Sequence, residues 1–254
     1  MKQTHLHFNM QIGRKKPVSV NNTETACPFC DRNSLTDVLE QRGSMIWLMN
    51  KFPVLEDTHQ TVLIETDECQ GDWSVYSKEH VRALLAFGVE KWLEMEQSNS
   101  YRSVLFFKNH GPYSGGSIRH PHMQIVGLHD YNYLDQVKDS DFIGMTIDQE
   151  AGIECNLSTQ PRAGFFEYNV ILSDFDRLPK MADYLQILAH WILTHVNPRN
   201  QSYNFFFYHW GEKLIAKVVP RFVTSPLYVG YSIPQVANNL EEMVAELQRR
   251  YFSS

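Results

Sequence analysis

A chain of 254 residues, 43% of them hydrophobic, is long enough for one large domain or two small ones around a substantial core. Its formal net charge of −6 at pH 7 gives no global electrostatic case for binding nucleic acid or an anionic membrane. The apolar runs fall well short of the ~20 residues of a membrane helix, the first 17 residues lack the apolar core of a signal peptide, and four cysteines suit a reducing cytoplasm.

The chain opens on a polar stretch containing Arg14-Lys15-Lys16-Pro17. A short basic run near a terminus is usually solvated, although arginine's planar fork also suits phosphate. Cys27-Pro28-Phe29-Cys30 follows. Two thiolates at this spacing can reach one tetrahedral ion, and Zn²⁺ is usual for sulfur with imidazole. There is no second C-x-x-C, so further ligands would come from far along the chain, and histidine is the available type. A redox dithiol is the competing reading. It lacks the buried-strand run that precedes thioredoxin-like sites.

Strands are expected over 45–49, 61–65 and 73–77. Val81, Leu84, Leu85, Val89, Trp92, Leu93 and Met95 recur near the 3.6 period and predict a helix over 79–97. Strands over 103–108 and 120–127 come next, the second entered through Gly115-Gly116-Ser117. In an extended run, residues two apart share a face, so His120, His122 and Gln124 would project together, with Arg119 on the opposite, solvent side. The glycines would let backbone N–H groups approach an anion. One imidazole can attack phosphorus while the neutral amide holds a phosphoryl oxygen without activating water. An H-x-H pair can equally bind metal or sit at a sheet edge.

After a polar stretch near 130–140, a strand is expected over 165–172 and a helix over 179–195, with Pro179 near its start. Strands over 203–209 and 213–219 form a hairpin across Trp210-Gly211-Glu212. The last helix, over 234–251, places Val236, Leu240, Met243, Val244 and Leu247 on one side. Its acidic start and basic end match the helix dipole. Helix, strand, turn, strand thus recurs, dividing the chain into residues 1–140 and 141–254. Where the first half carries His120 and His122, the second offers Ile215 and Lys217.

Taken in order, these motifs resemble the histidine-triad (HIT) superfamily in its galactose-1-phosphate uridylyltransferase branch. Cys27-Pro28-Phe29-Cys30 resembles its zinc pair, Asn50-Lys51-Phe52 its N-x-F segment beside the nucleoside, and Tyr76-Ser77-Lys78-Glu79-His80 its aromatic-Ser-x-x-His segment. Phe107-Lys108-Asn109-His110-Gly111 resembles its F-x-N-x-G turn. Ser117-Ile118-Arg119-His120-Pro121-His122-Met123-Gln124 resembles its S-x-x-H-P-H-x-Q strand. The matches span residues 14 to 128.

The resemblance implies an α+β, HIT-like fold of two related halves, each an antiparallel sheet packed by helices. Residues 1–140 would carry the zinc site and the active-site strand, and 141–254 would be a degenerate second half. His122 would be the nucleophile, forming a covalent nucleotidyl-imidazole, with Ser117 and Gln124 on the phosphoryl oxygens. Asn50, Phe52, Asn109, Arg14 and Lys16 would contact the nucleotide. Cys27, Cys30, His80 and His120 would hold a structural Zn²⁺ in a closed set with no open position. Hydrolases of the superfamily carry histidine where Gln124 stands. An amide has no titratable proton near neutral pH, which favours transfer or phosphorolysis over hydrolysis. Second-half histidines hold an additional metal in the uridylyltransferases; with Ile215 and Lys217 instead, no second metal is expected. Leu227-Tyr228-Val229-Gly230-Tyr231 resembles a segment near the sugar, but Pro226 replaces a lysine that meets the sugar phosphate.

The expected function is a hexose-1-phosphate uridylyltransferase-like nucleotidyltransferase, cytoplasmic and working by double displacement. Its substrates would be a nucleotide-containing small molecule and a phosphate or sugar-phosphate acceptor. The alternatives are a phosphorylase of nucleotide sugars or dinucleoside polyphosphates and a non-enzymatic, zinc-stabilised nucleotide-binding protein. Neither nucleic acid nor a membrane is expected as a partner. A homodimer is compatible with the resemblance.

Overall fold

In the computed structural model, which describes residues 5–20, 26–196 and 201–253, the chain divides into two units. One comprises Met1–Asp72 and Ala86–Gln136, the other Trp73–Leu85 and Val137–Ser254. No helix among the described residues is long and apolar enough to cross a membrane.

The first unit is built on strands β1 (Val38–Arg42), β2 (Met45–Met49), β3 (Thr58–Ile64), β4 (Ser103–His110) and β5 (His122–Leu128). They pair antiparallel in the order β1-β2-β3-β5-β4. Gly43, at φ +59, turns the chain between β1 and β2, a conformation that a side chain would strain. Short helix α1 (Met10–Lys15) is capped by Asn9, whose side chain accepts from the N–H groups of Gln11 and Ile12. Helix α2 (Lys78–Gln97) lays its later turns on one face of this sheet. Trp92 Nε1 donates to the Val104 carbonyl over 2.9 Å, and the Trp92 and Phe106 rings lie 5.7 Å apart. Gly88 permits the close approach, since a Cβ there would lie 2.5 Å from Phe106.

The opposite face carries His122 and Gln124. Ile46, Leu48, Val62 and Ile64 form a buried cluster there, with Phe29 and Leu35 packed over it. Register pairs Val62 with Gln124 and Ile64 with His122. Cross-strand partners share a face, so both polar side chains stand on this side of the sheet.

The second unit repeats the plan with β6 (Gly144–Glu150), β7 (Ile153–Ser158), β8 (Tyr168–Leu172), β9 (Tyr203–Trp210) and β10 (Lys213–Pro220). The order is β9-β10-β8-β7-β6, again antiparallel. Helix α3 (Leu178–Trp191) buries Met181, Ala182, Leu185, Leu188 and Ala189, and Trp191 Nε1 donates to the Tyr168 hydroxyl over 2.8 Å. A short helix α4 (Pro226–Tyr231) precedes α5 (Leu240–Tyr251), which buries Leu240, Val244 and Leu247. Gln248 of α5 donates to the Ile147 carbonyl of β6 over 3.0 Å. Each unit is therefore an antiparallel sheet with helices, the α+β organisation expected from the sequence.

Several elements differ from expectation. Residues 73–77 form a turn, not a strand: the carbonyls of Trp73 and Tyr76 accept from Gln186 Nε2 (3.1 and 2.6 Å), not from a neighbouring strand, and Ser77 Oγ accepts from the His80 N–H over 3.2 Å to begin α2. Strands β1 and β6 were not foreseen; both are largely exposed and lack a clean apolar alternation. Neither β7 nor the short helices α1 and α4 were foreseen. The last helix starts at Leu240, not at 234, with Asn239 at its N-cap position. The helix expected over 179–195 is α-helical only to Trp191 and ends in a π turn over Ile192–Val196.

Candidate active site and metal centre

Three separate segments of the first unit bring sulfur and nitrogen together. The Cys27–Cys30 turn, closed by the Cys30 N–H on the Cys27 carbonyl at 3.2 Å, presents two thiols. Cys69 comes from the turn after β3, and His120 from the bend just before β5. Their four ligand atoms all lie within 4.8 Å of one another. Zn–S bonds of about 2.3 Å would place tetrahedral sulfurs roughly 3.8 Å apart, so the spacing fits a four-coordinate ion.

The protonation pattern fits as well. His120 Nε2 lies 2.8 Å from the Thr66 carbonyl. A carbonyl only accepts, so Nε2 carries the proton and Nδ1 keeps its lone pair, 3.6 Å from Cys30 Sγ. Burial raises the Cys27 thiol, and burial together with Cys69 and Cys27 pushes Cys30 up to about 12. Burial acts to raise Cys69 too. There the Arg119 guanidinium, with Nε 3.3 Å from the sulfur, and the two neighbouring thiols prevail and lower it. Three crowded thiols of this kind become stable thiolates only beside a cation. The residues present can hold a metal ion.

One ligand and one neighbouring residue differ from expectation. Cys69 completes the group in place of His80, which belongs to the second unit and packs edge-on against the Tyr76 ring at 5.0 Å. Arg119, partly exposed, also contacts a cluster thiol. The strand begins only at His122, so the alternation assumed for residue 119 does not reach it.

His122 adjoins the cluster through the backbone: its Nδ1 lies 2.8 Å from the His120 carbonyl. By the same logic Nδ1 bears the proton and Nε2 keeps its lone pair. Only 7% of His122 is exposed, and burial holds its imidazole down at about 4. Phe29 packs edge-on against both rings, at 6.0 Å from His120 and 5.4 Å from His122. His122 and Gln124 line a cleft of about 150 Å³ with Lys16, Phe29, Asn50, Phe52 and Ile118. The Phe52 N–H donates to Asn50 Oδ1 over 2.9 Å, which shapes that rim.

Ser117 Oγ is buried and has no hydrogen-bond partner among the described residues. Its carbonyl accepts from the N–H groups of Ser19 and Val20 (2.8 and 3.1 Å), so the basic N-terminal segment is stitched to the glycine-rich entry. Asn109, near the end of β4, packs against Gly116, where a Cβ would lie 3.2 Å from that of Asn109. Arg14 stands in the last turn of α1. The cleft lining thus includes Lys16, Asn50 and Phe52 of the expected nucleotide contacts, but neither Arg14 nor Asn109. Nothing in the spacing of Cys69 marked it, since it lies far from any partner in sequence.

Comparison with known proteins now decides the family. Residues 8–131 match the N-terminal domain, and 134–252 the C-terminal domain, of a domain of unknown function, DUF4931. The chain belongs to the DUF4931 family. A DUF4931 family protein from Bacillus cereus ATCC 10987 is 46% identical over 85% of this chain and 100% of that one, with a TM-score of 0.78. More distant structures share the DUF4931 fold. A uridylyltransferase matches at 16% identity over 89% of this chain and 91% of that one, TM-score 0.67. An ADP-glucose phosphorylase from Arabidopsis thaliana with bound ADP-glucose matches at 16% identity over 95% and 94%, TM-score 0.69. The fold is therefore HIT-like, as in these two structures. No curated protein matches the chain significantly.

Proposed function

We propose that this DUF4931 protein is a nucleotidyltransferase that works by double displacement through a covalent nucleotidyl-His122. The observation that carries the reading is the 2.8 Å contact between His122 Nδ1 and the His120 carbonyl, in a residue lining the first unit's cleft. It leaves Nε2 unprotonated and available. In the first displacement Nε2 attacks the α-phosphorus of a nucleotide-containing donor. A P–N bond forms as the P–O bond to the leaving phosphate breaks, and that electron pair departs on oxygen. An oxygen of a phosphate or sugar-phosphate acceptor then attacks the same phosphorus, and the P–N pair returns to the imidazole.

Gln124 and Ser117 would hold the phosphoryl oxygens where charge develops. The unpartnered, buried Ser117 hydroxyl supports that role. Lys16, Asn50 and Phe52 would contact the nucleotide, as their place in the cleft supports, with Asn109 and Arg14 behind them. Cys27, Cys30, Cys69 and His120 would hold a structural Zn²⁺, the ion that a sulfur-rich tetrahedral set favours. A closed set supplies no Lewis acid; it ties the C-x-x-C turn and the turn after β3 to the strand bearing His122. Such a thiol cluster suits the cytoplasm. Residues 141–254 would be the degenerate half, as Ile215 and Lys217 on β10 support.

The test is incubation with radiolabelled nucleotide sugars, followed by isolation of the protein. Acid-labile label is expected on the wild type and absent from His122→Ala; no label from any nucleotide sugar would overturn the proposal. A second reading, phosphorolysis, is favoured by the Lys16 cation in the cleft, which suits inorganic phosphate as the acceptor. Phosphate-dependent release of a nucleoside diphosphate distinguishes it.

A further inference from the structure

A second cavity, of about 330 Å³, lies wholly within the second unit. Strands β9 and β10, the loop before β8 and helix α4 supply its walls. Three cations line it: Arg162, Lys217 and Arg221. Two of them are matched. Lys217, 1% exposed, lies 3.1 Å from Glu167 Oε2 and donates to the Asp141 carbonyl over 2.7 Å. Arg162 Nη1 lies 2.8 Å from Asp141 Oδ2.

Arg221 is different. Its Nη1 donates to the neutral Asn204 Oδ1 over 2.8 Å, and no carboxylate pairs with it among the described residues. A half-buried guanidinium has lost part of its hydration and, without a counter-ion, regains nothing for it. Burial lowers its pKa accordingly. Around it stand aromatic rings, among them Phe206, Tyr208, Phe222 and Tyr228. Planar, delocalised arginine binds carboxylate and phosphate through two parallel N–H donors, and aromatic walls favour a flat apolar body. The volume falls within the range of small-molecule sites, about 300–1,000 Å³.

We propose that this cavity is a binding site, distinct from the His122 cleft, for a small aromatic anion whose phosphate or carboxylate pairs with Arg221 and whose ring lies among Phe222, Tyr208 and Tyr228. One spare positive charge suits a compact charged group and is too little for a polyanion.

Calorimetric titration of the full chain with phenyl phosphate and with benzoate tests this and separates the two anion types. At least one probe is expected to bind the wild type. Arg221→Gln should weaken that binding about tenfold or more, the worth of a charge-assisted pair. Arg221→Lys should retain part of it, and His122→Ala should leave it unchanged. Phe222→Ala, which keeps every charge, should also weaken the probe, so the proposal does not depend on the Arg221 variant folding. Binding also raises the melting temperature of the wild type more than that of Arg221→Gln. Failure of both probes to bind, equal affinity in wild type and Arg221→Gln, or loss of binding in His122→Ala would each overturn the proposal.

Discussion

Arg119 Nε donates to Cys69 Sγ over 3.3 Å, linking the approach to the active-site strand with a thiol from the turn after β3. This contact makes Cys69 the most acidic of the three sulfurs, and so the first to meet a cation as thiolate. Metal analysis of the purified protein should give about one ion per chain. Cys69→Ser should lose it, His80→Ala should keep it, and Arg119→Ala should weaken it roughly 10–100-fold in competition with a chromophoric chelator. Equal losses in Cys69→Ser and His80→Ala would return the fourth position to the histidine.

Gln124 shares a sheet face with His122 but brings no titratable proton. Under the proposed double displacement, Gln124→His should therefore raise hydrolysis of the nucleotidyl intermediate, by about 100-fold if the new imidazole acts as a general base. Release of free nucleotide without any acceptor measures this. An unchanged hydrolytic rate would mean that water is kept out by the cleft itself and not by the amide.

Lys108 and Glu65 form an ion pair at 2.5 Å with neither side chain exposed. The Glu65 N–H also donates to the Pro121 carbonyl over 3.1 Å, so the pair braces the entry to β5. Lys108→Met removes the ammonium that faces a buried carboxylate and should cost about 3–5 kcal/mol in urea unfolding. Adding Glu65→Leu should recover much of that loss, because the stranded charge is then gone. Additive losses in the double variant would show that packing, not charge, dominates here.

Arg42 holds Glu90 through two N–H donors, at 2.9 and 2.5 Å, and with Lys91 keeps its carboxyl down at about 2. A folded pKa below the unfolded value of about 4.3 contributes stability that is complete above that pH and is lost as pH falls towards 2. The stability gap between wild type and Glu90→Gln should thus be constant near neutrality and close between about pH 4 and 2. A gap that persists to pH 2 would assign the effect to geometry instead.

Much of the site was legible because its signals are local. C-x-x-C is a four-residue turn, and His122 and Gln124 obey strand alternation once β5 has begun. Cys69 was not legible: it is a lone cysteine that His120 meets through pairing of β3 with β5, and Cys27 and Cys30 through a turn far earlier in the chain. Arg119 reaches Cys69 because β5, and with it strand alternation, begins only three residues later. Buried strands such as β2 announce themselves by composition, whereas β1 and β6 are exposed edges whose polar residues read as loop. The Trp73–Ser77 stretch alternates like a strand, yet Gln186, more than a hundred residues away, takes the carbonyls that a strand would have used.

His120 belongs to two worlds at once. Its ring faces the thiols, and its carbonyl sets the tautomer of the imidazole two residues on. Oxidants that attack the sulfurs would then reach the reaction through this shared residue, without ever entering the cleft. Under the proposed function, peroxide treatment should lower activity and reductant should restore it, a vulnerability to oxidative stress built into the scaffold.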